Sequence, residues 1–173
     1  WRKPMSDESI VQVTTSKDEL AILGASDDRE LLSQGLDDFL PYDLPFEALV
    51  EIKTIEAKRN YDNRGVFVQL RVLESSAPRE VQVNKTYALA FFDTHKTLPP
   101  FVLSKMLQSR REFAAAVASV PCGDDFKAAP VLLQLAKASK VEPLGIKMRF
   151  KNEHERTTRV GKNIYKLRYV LEQ

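Results

Sequence analysis

The chain has 173 residues, 43% of them apolar and 29% charged, with a net charge of +2, which suits one domain with an appendage and a sizeable buried core. No apolar run approaches the roughly 18 residues a membrane-crossing helix needs, and no apolar signal core opens the sequence, so a cytoplasmic protein is expected. The single Cys122 excludes an intramolecular disulfide and a cysteine-based metal cluster.

Charge divides the chain. Residues 1–46 hold four Lys/Arg against ten Asp/Glu, a net −6, whereas the remainder holds 22 against 14, a net +8. This pattern reads as an acidic N-terminal arm, 1–46, on a basic body, 47–173. The arm is either a solvated leader or a segment that competes with a polyanion for the basic face, or contacts a partner. Residues 1–18 lack periodicity. From 18 to 40, Leu20, Ile22, Leu23, Leu31, Leu32, Leu36 and Leu40 suggest one or two short helices broken near Gly24, and Pro41 and Pro45 end them.

The body opens with a strand at about 48–58, with Val50, Ile52 and Thr54 on one face. Residues 60–65 (Asn-Tyr-Asp-Asn-Arg-Gly) have the composition of a turn. The clearest strand is 66–73, where Val66, Val68, Leu70 and Val72 alternate with Phe67, Gln69, Arg71 and Leu73. A third strand covers about 85–92. Pro99-Pro100 then introduces a helix over 101–120, and Pro130 opens a second over 131–138.

Two strand-like segments close the chain around a polar loop. In 145–151, Ile146, Met148 and Phe150 alternate with Lys147, Arg149 and Lys151. In 164–171, Tyr165, Leu167, Tyr169 and Leu171 alternate with Lys166 and Arg168. Each segment would set an apolar face against a ladder of positive charge that contains no acid at its outward positions. Arg156, Arg159 and Lys162 lie in the connection, diluted by Glu153 and Glu155.

Five strands with a helical insertion between the third and fourth give the element order of the OB-fold. The expected fold is therefore mainly β with α: a five-stranded OB-like Greek-key barrel with a helical insertion, plus the acidic arm. That fold binds oligonucleotides on its second and third strands and on the loops joining strands 1–2 and 4–5. Tyr61 and Arg64 fall in the first loop, Phe67 and Arg71 on the outer face of the second strand, and His154, Arg156, Arg159 and Lys162 in the last loop.

On the residues 64–73 and the closing pair 145–151 and 161–165, the chain resembles phage-type OB-fold single-stranded DNA-binding proteins over about 46–173. The resemblance implies protection of single strands in replication, recombination or repair, and replication or recombination proteins as partners. The acidic leader, the long insertion and an ending without an acidic tail depart from that pattern.

A single-strand binder combines cations along the phosphates with rings on which bases stack. Tyr61 and Phe67 are the stacking candidates. Phe67 packs equally well beneath the helical insertion, and Tyr165 and Tyr169 share a face with leucines and suit the core. Arg64, Arg71, Lys147, Arg149, Lys151, Arg156, Arg159, Lys162, Lys166 and Arg168 are the candidate phosphate contacts. An enzyme is not expected. His95 and His154 lack metal-ligand spacing, no phosphate-cradling glycine loop exists, and Cys122 has no nearby base in sequence. No metal or cofactor is expected. The reading is a non-catalytic binder of single-stranded nucleic acid, DNA ahead of RNA, with self-association open. Its rivals are a structural or assembly protein built on the same barrel and arm, and an RNA-binding protein.

Overall fold

The structure is a computed structural model that describes residues 26–27, 38–59 and 62–172. In chain order its elements are β1 (Ser26–Asp27), β2 (Asp38–Phe39), β3 (Phe46–Arg59), β4 (Arg64–Ser75), β5 (Thr86–Thr94), α1 (Pro100–Ala118), α2 (Ala128–Val141), β6 (Ile146–Thr157) and β7 (Asn163–Leu171). Among the described residues they make a mainly β fold with two helices on one mixed sheet, ordered β2-β5-β4-β3-β6-β7, with β1 joining β3 off that path.

Period-2 alternation explains the long strands. Val66, Val68, Leu70 and Val72 of β4, Ala48, Val50 and Ile52 of β3, and Met148 and Phe150 of β6 all turn to one face and are buried there. β3, β4 and β5 form an antiparallel meander. The chain then passes through both helices and returns as β6 on the free side of β3, followed antiparallel by β7. Among the described residues β5 and β7 share no ladder, so the sheet is open. Helix α1 packs against both of these strands. Its Phe113 fills the space between them, with ring centroids 5.8 Å from Phe91, 5.4 Å from Tyr169 and 6.5 Å from Phe150.

Helix α2 packs on β3 and is fastened at an irregularity. The β3–β4 pairing shifts between Ile52 and Thr54, so Ile55 and Ala57, rather than Thr54, continue the buried face. There the Ile55 N–H donates to Ser139 Oγ at 3.3 Å, and that hydroxyl lies 3.0 Å from the Ala136 carbonyl. A bulge releases backbone groups from the ladder, and a serine from the covering helix satisfies one of them.

Three expectations change. The helices expected over 18–40 fall mostly outside the described residues, and the described parts, 26–27 and 38–39, are short parallel strands. Leu40 and Phe46 are buried in the main core, so the chain enters the body earlier than the change in composition at residue 46. Gly65 belongs to β4 rather than to a left-handed turn. An added Cβ there would lie 2.6 Å from the Phe91 carbonyl oxygen and 2.9 Å from Phe92 Cα, so close approach of β5 is what demands glycine. Among the described residues no helix is long and apolar enough to cross a membrane.

Candidate nucleic-acid interface

The outward face of the sheet is not an acid-free ladder of cations. Lys147, Arg149 and Lys151 do alternate outward from the buried Met148 and Phe150. The neighbouring strand, however, is β3, which sets Glu51 opposite Lys147 and Glu47 opposite Lys151. Arg149 reaches Glu47 and Glu172, each at 3.6 Å. Glu153 lies 3.1 Å from Arg168 and 3.4 Å from Lys151. The Arg168 hydrogen bond, helped by Lys151, holds the Glu153 carboxyl below the usual carboxylate range. Arg71 lies 3.9 Å from Glu51, which is also bridged to Lys53 at 3.1 Å. Lys166 turns to Glu112 of α1 at 3.1 Å. Each exposed pair contributes little to stability. Together they cancel most of the field that the cations would project.

Arg64 is committed elsewhere. Its Nε and Nη2 donate to the two oxygens of Asp93 at 3.1 and 3.2 Å. The Asp93 side chain is almost wholly buried, so this two-pronged pair stabilises the fold and leaves Arg64 poorly placed to grip phosphate. Phe67 is 6% exposed and packs edge-on to Phe92 at 5.5 Å, with Leu98, Leu103 and Met106 against the pair. The helical insertion, through Leu103 and Met106, and Phe39 of β2, whose ring centroid is 6.5 Å away and tilted, cover Phe67. Tyr169, partly buried, packs against the core, its hydroxyl 2.6 Å from Ser109 Oγ. Tyr61 lies outside the described residues.

A different feature carries free positive charge. β6 pairs with β3 only as far as Asn152, opposite Phe46, whereas its pairing with β7 continues to Thr157 opposite Asn163. Beyond Asn152, therefore, β6 and β7 project from the sheet as a two-stranded ribbon. The sequence over 152–163 resembles a loop because neither side of the ribbon has a core to alternate against. It is strand as far as Thr157, and only 158–162 turn. Thr158 ties that turn: its carbonyl accepts from the Gly161 N–H at 3.0 Å, and its hydroxyl accepts from the Lys162 N–H at 3.0 Å. Gly161, at φ 83°, takes the left-handed position that a side chain would resist. Arg156, Arg159 and Lys162 are exposed, and among the described residues none has a carboxylate partner. The ribbon braces on α1 through Lys105 and Glu155, 3.4 Å apart.

The edge of β5 is partly covered. β2 runs parallel to it, pairing Asp38 with Tyr87 and Phe39 with Ala88. Asp38 hydrogen-bonds Lys85 and so raises the lysine's pKa. Among the described residues no group of three or more His, Cys, Asp or Glu side chains could hold a metal ion.

Comparison with known proteins adds no family. No protein-family model, no curated protein and no solved structure gives a significant match to this chain.

Proposed function

We propose that this protein is a non-catalytic binder of single-stranded nucleic acid that grips phosphates along the β6–β7 ribbon. The observation that carries this reading is the ribbon itself, whose Arg156, Arg159 and Lys162 are exposed and free of acidic partners among the described residues. Cations that reach beyond the body of a protein release counterions from a strand without first breaking internal ion pairs. Lys147, at the exposed end of the paired face, is an auxiliary contact. Arg71, Arg149, Lys151, Lys166 and Arg168 contribute only where phosphate displaces their glutamates.

On this reading the five long strands, ordered β5-β4-β3-β6-β7 with both helices between β5 and β6, form an OB-like Greek-key barrel left unclosed between β5 and β7. DNA stands ahead of RNA on the resemblance to phage-type single-strand binders alone, as do roles in replication, recombination or repair and a cytoplasmic setting. A rival assembly role draws on β7, whose outer edge has no strand partner among the described residues and which exposes Val170.

The deciding experiment is fluorescence anisotropy with a labelled poly-dT strand, matched duplex and matched RNA, at low and moderate salt. Micromolar or tighter binding that prefers the single strand and weakens with salt supports the proposal. An absence of binding at low salt, with concentration-dependent sedimentation, would replace it with assembly.

A further inference from the structure

Three aromatic side chains stand well exposed among the described residues: Phe39, Tyr42 and Phe101. Two of them lie on segments that the ribbon strand holds. Tyr42 lies in the short crossing between Pro41 and Pro45, and its backbone is held by the ribbon strand. The buried Asn152 donates from Nδ2 to the carbonyls of Tyr42 at 3.2 Å and Leu44 at 2.8 Å. Asn152 is the last residue of β6 that pairs with β3, so Tyr42 is pinned where the ribbon leaves the sheet. Its side chain is nevertheless 80% exposed. Phe101, 64% exposed, lies one helical turn before Lys105, whose ammonium touches Glu155 of the ribbon. The two anchor points, Asn152 and Glu155, are three residues apart on β6, or about 10 Å of strand.

Single exposed apolar residues are ordinary on a protein surface. Here the segments that carry two exposed rings are fastened to one short stretch of strand, and the unpartnered cations begin one residue beyond it. The chain that carries Tyr42 is stiffened by prolines and clamped by a buried amide, so little conformational freedom remains to be lost when something stacks on the ring. Resting on the function proposed above, we propose that Tyr42 and Phe101 are the base-stacking residues, receiving unpaired nucleobases while Arg156, Arg159 and Lys162 hold the phosphates. The ligand class is a single strand with accessible bases. Duplex, whose bases are already stacked, is excluded from the rings.

The test compares wild type, Tyr42→Ala, Phe101→Ala and the double variant on poly-dT and on an abasic strand of the same length, over a salt series. Both side chains are exposed, so the thermal midpoint should not move. Wild type should bind poly-dT more tightly than the abasic strand. Each alanine variant should lose about 5- to 100-fold on poly-dT with an unchanged salt slope, and the double variant should no longer distinguish the two strands. Tyr42→Trp should restore affinity. Unchanged poly-dT affinity in the double variant, with preference over the abasic strand retained, overturns the stacking role while leaving the ribbon's function intact. Failure of wild type to bind any single strand overturns both.

Discussion

Gly65 shows how one residue sets the spacing of a sheet. The β4–β5 pairing shifts between Arg64 and Gly65, and the strands approach so closely that a methyl group would collide with the Phe91 and Phe92 backbone. Backbone cannot swing aside as a flexible side chain can. Gly65→Ala should therefore cost about 1–3 kcal/mol through overpacking, seen as a lower urea midpoint with an unchanged denaturant slope. The neighbouring Arg64–Asp93 pair would be strained by the same shift.

Tyr169 makes a prediction with a definite sign. Burial raises its pKa, against a partly opposing hydrogen bond with Ser109. Below pH 10 the phenol is protonated in both folded and unfolded chains, and its burial and hydrogen bond stabilise the fold in full. Above the unfolded value of about 10, the unfolded state ionises while the folded state resists, so stability falls by up to about 1.4 kcal/mol per pH unit. Tyr169→Phe should be less stable than wild type by about 1 kcal/mol near pH 8, for loss of the hydrogen bond. That gap should close as pH rises through 10 and reverse above about 11. Urea unfolding at pH 8, 10 and 11 measures it, and a gap independent of pH would mean that the hydroxyl is not held from solvent in the folded chain.

At the scale of elements, the ribbon and the paired face should behave differently toward a polyanion. Replacing Arg156, Arg159 and Lys162 together by alanine should lower poly-dT affinity and reduce the logarithmic salt slope by about 2, since each phosphate contact on a single strand contributes about 0.7. Arg149→Ala should change the slope far less, because Glu47 and Glu172 already neutralise that guanidinium. Equal effects from the two variants would return the sheet face to the centre of the site.

The same contrast marks what could be read from sequence. β4, β3 as far as Ile52, and the apolar faces of β6 and β7 were legible because each is recorded in its own period-2 alternation; the bulge past Ile52, which takes Thr54 off the buried face, was not. Glu47 and Glu51, set opposite β6, were not, because they lie on β3, about a hundred residues upstream, and adjacency of strands is not encoded in either strand's pattern. Nor was the length of the ribbon, since alternation needs a core to face. Phe67 illustrates the ambiguity of an outward aromatic: the sequence allowed stacking or packing, and the insertion that covers it is remote along the chain. Tyr42 carried a usable signal, an aromatic held between two prolines, but its clamp, Asn152, follows 110 residues later.

For the whole molecule, the decisive property is the division of charge. Residues 1–37 contain four Lys/Arg and eight Asp/Glu, a net −4, beside a body that is strongly positive. On the proposed function, the negative segment lowers the potential that an approaching strand meets, whatever its conformation. Removing residues 1–37 takes away the two-residue β1 pairing on β3 but keeps Leu40 and Phe46, both buried in the core, so the long strands and helices should remain folded. It should raise poly-dT affinity several-fold at low salt, mainly through faster association. The gain should fade as salt rises toward 1 M, where screening acts within about 3 Å. Stopped-flow association rates for the 38–173 chain, measured across that salt range, test this directly. Slower association after the removal would mean that the segment contributes contacts of its own rather than opposing field, and a change in sedimentation would assign those contacts to self-assembly.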